Sequence, residues 1–137
     1  MGYHTNYNLS ISQMGSKPFS EEELKYLGAQ LQRMNVFEFG RYDDPLLSSF
    51  EAYDTKWYEC EEDMKLLSLR FPTLLFTLIG HGEDSEDIWV AYFMDGREQF
   101  AMAQIVYEEF NKRKLGERIV PKQAQRYSYE EDEDGTL

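Results

Sequence analysis

A chain of 137 residues with 42% apolar and 15% aromatic content is long enough to bury a core as one domain without disulfides or metal staples, and too apolar to stay unfolded. Its 26 acidic and 14 basic residues leave a formal charge of −12, which argues against direct DNA or RNA binding, an affinity drawn largely from clustered lysine and arginine. The single Cys60 cannot close an internal bridge. With neither a charged-then-apolar leader nor an apolar run of spanning length, the expectation is a cytoplasmic protein with no membrane contact.

The first predicted element is GYHTNYNLSIS, in which Tyr3, Thr5, Tyr7, Leu9 and Ile11 alternate with His4, Asn6, Asn8 and Ser10. A period of two predicts a half-buried antiparallel strand, with His4 as a solvated imidazole on its wet face. In PFSEEELKYLGAQLQRMN, Ser20 and Glu23 have capping-box spacing, and Phe19 and Leu24 are placed as a hydrophobic staple. Leu24, Leu27, Leu31 and Met34 then form the apolar stripe of a helix, whose first turn is favoured by Glu21, Glu22 and Glu23.

VFEFG reads as a short extended piece and RYDDPLLSS as a loop. FEAYDTKWY predicts a second strand, carrying Trp57. In ECEEDMKLLSLRF, Cys60, Met64, Leu67 and Phe71 define a second helix, with Glu59, Glu61, Glu62 and Asp63 in its first turn and Pro72 beyond its end. Cys60 on that stripe reads as a small core residue and not as a nucleophile. TLLFTLIG predicts an interior strand. DIWVAYFM and REQFAMAQIVY flank Asp95-Gly96, a pair that favours a tight hairpin.

The expected fold is therefore α+β, a mainly antiparallel sheet with two helices on one face in the order β-α-β-α-β-β-β, ferredoxin-like with additions. Residues 1–126 are expected to form a single domain, and residues 127–137, with five acids and no base, a flexible acidic tail.

Between the third and fourth strands, GHGEDSEDIW gathers His81, Glu83, Asp84, Glu86 and Asp87. One histidine is a weak start for zinc, and the stretch lacks the alternating oxygens, central glycine and closing glutamate of a calcium loop. An ordered turn is the simpler reading, with Gly80 and Gly82 allowing backbone angles that a side chain resists and Asp87 bracing the turn. No phosphate-cradling GxxxxGK or GxGxxG and no nucleophile elbow occurs. The expectation is no catalytic residue, no metal and no cofactor.

The segment KWYECEEDMKLLSLRFPTLLFTLIGHGEDSEDIWVAYFMDG resembles small proteins of phages, prophages and other mobile elements. The matching positions are Trp57-Tyr58-Glu59, Asp63, Ser68, Pro72, Phe76-Thr77-Leu78, Gly80, Gly82-Glu83, Asp87, Trp89, Tyr92-Phe93 and Gly96. They cover under a third of the chain. The resemblance implies a ferredoxin-like module of phage or prophage origin, and His81 departs from the acidic or small polar residue expected at its position.

Charge and resemblance together predict a non-enzymatic, acidic interaction protein. Glu59, Glu61, Glu62, Asp63, Glu83, Asp84, Glu86 and Asp87 are its candidate contacts with a basic host protein, and inhibition of a nucleic-acid-binding defence enzyme, in the anti-CRISPR or antirestriction manner, is the concrete form. A toxin-neutralising immunity protein is one alternative. A small-molecule or nucleotide enzyme with a site near Tyr58 and His81 is the other. Either a monomer or a homodimer fits.

Overall fold

A computed structural model describes residues 3–121, and the chain divides after Ile105 into two units. The first unit is an α+β fold of five strands and two helices: β1 (Thr5–Gln13), α1 (Glu21–Met34), β2 (Phe50–Thr55), α2 (Cys60–Arg70), β3 (Leu74–His81), β4 (Ile88–Met94) and β5 (Arg97–Met102). A short 3-10 helix, Pro45–Leu47, precedes β2. The elements follow the expected order along the chain.

The strands lie side by side as β2-β1-β3-β4-β5, every neighbouring pair antiparallel. This arrangement does not match a ferredoxin-like sheet. β2 and β3, joined through α2, run parallel on either side of β1 and so form one split β-α-β unit, but β1 and β2 are direct antiparallel neighbours although α1 separates them in sequence. Periodicity within a segment carries no information on which segment pairs with which.

The alternation read in the first segment sets the layers. Thr5, Tyr7, Leu9 and Ile11 are buried, whereas Asn6, Ser10 and Ser12 face solvent. In β3, Leu74, Phe76 and Leu78 point the same way, joined by Ala91 and Phe93 of β4 and Phe50 and Ala52 of β2. Leu27 and Leu31 of α1 and Met64 and Leu67 of α2 complete a single apolar cluster with them. Both helices thus cover one face of the sheet, as expected from an apolar parity on one side and a polar one on the other.

Local signals act where they were read. Ser20 caps α1 by accepting from the Glu23 amide, while Glu23 Oε1 accepts from the Ser20 amide at 2.9 Å. Asp95 and Gly96 both adopt positive φ, 52° and 74°, the primed hairpin geometry. Trp57 differs from expectation, lying beyond the end of β2 in the approach to α2. There its indole packs edge-on against Tyr7, centroids 5.2 Å apart, and against Phe37 at 5.7 Å.

The described residues of the second unit, from Val106, include a short 3-10 turn, Lys112–Lys114, capped by Asn111, whose Oδ1 accepts from the Arg113 amide at 3.0 Å. Lys114 and Glu108 form an ion pair within it. The acidic segment 127–137 lies outside the described residues. No helix among the described residues is long and apolar enough to cross a membrane.

Candidate functional site

The residues of the GHGEDSEDIW stretch form an ordered turn that ties down the N-terminal strand. The Gly82 amide donates to the Asp87 carbonyl at 2.8 Å, and the Asp87 amide to the Asp84 carbonyl at 3.0 Å. The His4 amide donates to Glu83 Oε2 at 2.6 Å, and the Asp84 amide to the Tyr3 hydroxyl at 3.1 Å. His4 is more than a solvated imidazole, since its Nδ1 lies 2.6 Å from Asp54 Oδ1.

The two glycines serve a different purpose from the expected one. Neither has positive φ. Instead, a Cβ on Gly80 would lie 2.2 Å from Trp89 Cε2 and Cζ2, and one on Gly82 would lie 2.0 Å from Asp87 Oδ2 and 2.4 Å from the Tyr3 hydroxyl. Both positions are bare because a neighbouring side chain occupies the space. Gly80 and Trp89 are cross-strand partners, so the missing side chain lets the indole lie across the sheet.

Trp89 in that pose forms one wall of a cavity of about 230 Å³, lined by Tyr7, Tyr58, Cys60, Glu61, Trp89, Ala91, Phe93, Glu98 and Phe100. Its ring contacts Phe100, with centroids 5.5 Å apart, and meets Tyr7 edge-on at 6.0 Å. The first turn of α2 closes the other side. Burial, reinforced by Glu98, Asp63 and Glu61, pushes the Cys60 thiol up to about 12, which keeps it protonated and poorly nucleophilic at neutral pH. Burial also raises Tyr7, with Cys60 and Asp87 both within electrostatic reach of its ring.

Two carboxylates meet at the cavity. Glu98, with only 14% of its side chain exposed, lies 4.0 Å from Lys65 Nζ, which is also 3.0 Å from Glu61 Oε1. Burial and the neighbouring Glu61 raise the Glu98 carboxyl above its usual range, against the pull of Lys65. The hydrogen bond from Lys65 lowers Glu61. One ammonium therefore serves two acids, and the pair keeps a surplus of negative charge. Glu98 was not singled out in the sequence: a lone acid within a strand gives no signal until the sheet and α2 enclose it.

The eight carboxylates expected to contact a partner separate by position. Glu59, just before α2, and Glu61 and Glu62 in its first turn are exposed, and Glu83, Asp84 and Glu86 are exposed in the turn between β3 and β4. Asp63 and Asp87 are half-buried; Asp63 Oδ2 accepts from the Trp57 indole N–H at 2.8 Å. Both segments lie at one end of the sheet, flanking Tyr7 and Trp89.

Tyr58 lines the cavity, but His81 does not: it is exposed and continues the outward parity of Leu75, Thr77 and Ile79 on the opposite side of the sheet. Among the described residues, no three His, Cys, Asp or Glu side chains are grouped as metal ligands. No family model matches the chain, and neither a curated protein nor a solved structure is significantly similar to it.

Proposed function

We propose that this chain is a non-enzymatic acidic interaction protein that engages a basic partner protein through the end of the sheet where α2 begins and the β3–β4 turn lies. The observation supporting this reading is the placement at that end of six exposed carboxylates, Glu59, Glu61, Glu62, Glu83, Asp84 and Glu86, of which Glu61 is ion-paired, to Lys65. Such a surface attracts a basic partner over a Debye length and orients it on approach. The resemblance of Lys56 to Gly96 to proteins of mobile elements supports a phage or prophage origin, and a host nucleic-acid-binding defence protein as the partner to be inhibited.

Affinity capture from host lysate tests this, with the wild type compared against a variant carrying Glu59→Gln, Glu62→Gln, Glu83→Gln and Glu86→Gln. A basic protein should be retained at about 50 mM salt, released by about 500 mM, where screening is far shorter-ranged, and absent from the variant. Retention insensitive to both salt and the four substitutions refutes the reading. A captured nuclease toxin in place of a defence protein assigns the chain to immunity.

A further inference from the structure

The cavity between β1, β4, β5 and α2 combines three properties that favour one kind of occupant. Its walls are aromatic: the Trp89, Phe100, Tyr7 and Tyr58 rings all line it, and ring faces attract cations. It holds Glu98 and Glu61, whose charge is offset among the described residues by Lys65. At about 230 Å³, it falls below the roughly 300–1,000 Å³ of sites for drug-sized molecules, a size that suits a single side chain. A larger hollow of about 430 Å³ beside α1, lined by Ala29, Gln30, Gln32 and Arg33, has neither an aromatic wall nor a carboxylate.

We propose that this cavity receives the alkylammonium group of a lysine side chain from the basic partner, held against the Trp89 and Phe100 rings and neutralised by Glu98. An ammonium fits better than a guanidinium. Glu98 is already engaged, with Oε1 4.0 Å from Lys65 and the Glu61 carboxyl beside it, and so crowded a carboxylate suits a compact point charge better than a guanidinium, which seeks two oxygens at once. The Lys65 ammonium, 3.0 Å from Glu61 and 4.0 Å from Glu98, already lies beside both carboxylates. This inference rests on the reading of the chain as a receptor for basic partners and narrows it to one anchoring residue.

The test uses the full-length chain, labelled with nitrogen-15, titrated with N-acetyl-lysine methylamide and, separately, with the uncharged norleucine analogue. The expected result is saturable shifts of the Trp89 indole N–H and of the Glu98 and Phe100 amides with the lysine compound and none with the norleucine compound. Glu98→Gln, which keeps the side-chain shape, should weaken binding roughly tenfold or more. Phe100→Leu, which alters a half-exposed ring and leaves the core intact, should weaken it severalfold.

Equal shifts from the norleucine compound, or tighter binding of the arginine analogue, overturn the proposal. So do shifts confined to Glu59, Glu62 and the β3–β4 turn, a pattern that leaves the acidic-surface reading standing without the cavity. Saturable lysine binding with no basic protein captured supports the cavity and removes the wider reading.

Discussion

Substituting Gly80→Ala isolates the contact on which the candidate site is built. In an open strand the change is favourable, because alanine reduces the freedom of the unfolded chain by about 0.4–1 kcal/mol. Here the new Cβ would lie 2.2 Å from two indole carbons of Trp89 and 2.8 Å from a third. The indole cannot simply lift away, since it packs edge-on against Tyr7 and lies beside Phe100. Overpacking of this kind costs about 1–3 kcal/mol. The net expectation is a loss of about 1–2 kcal/mol, equivalent to roughly 5–10 °C in Tm for a unit of this size.

Urea and thermal denaturation followed by far-ultraviolet circular dichroism measure this loss, and tryptophan emission reports the displaced indole. A double-mutant cycle with Trp89→Leu supplies the specific test. If the clash is the cause, removing the indole relieves it, and the two substitutions are non-additive by at least about 0.5 kcal/mol. A Gly80→Ala protein as stable as the wild type, or a cycle that closes additively, refutes the assignment of Gly80 as the floor beneath Trp89.

Gly28→Ala poses the same question inside α1, where alanine normally gains about 1 kcal/mol over glycine. A Cβ there would lie 1.9 Å from the Tyr42 carbonyl oxygen, a backbone atom, so an overpacking cost of about 1–3 kcal/mol should at least cancel that gain in urea denaturation; a net gain would contradict the packing of α1 on that loop. Glu98→Gln tests the buried carboxyl through pH. Because the fold raises the Glu98 pKa, its contribution favours the native state below the ordinary carboxylate range and is lost as pH rises through the folded value. The stability of Glu98→Gln relative to wild type should therefore increase from acid toward neutral pH, and a flat difference between their denaturation midpoints contradicts it. Cys60, held protonated by burial, should react with a thiol-specific disulfide reagent at pH 8 at least roughly tenfold more slowly in the native protein than in urea; equal rates would place the thiol in solvent.

The amino-acid sequence by itself determined the features that depend on neighbours within a few positions. The alternation from Thr5 to Ile11, the Ser20–Glu23 capping box, the stripe from Cys60 to Phe71 and the Asp95-Gly96 hairpin all express local geometry, and each element formed where its pattern lay. The acidic character of the α2 start and the β3–β4 turn was legible for the same reason, because charge belongs to the residue and not to its surroundings. Tertiary structure alone decided the sheet order, the removal of Trp57 from β2 and the enclosure of Glu98. It also decided that Gly80 is bare to admit an indole and not to permit an unusual backbone angle. Each of these depends on which distant atoms come within a few ångströms of one another, and packing, unlike periodicity, is settled only when the whole chain has closed on its core.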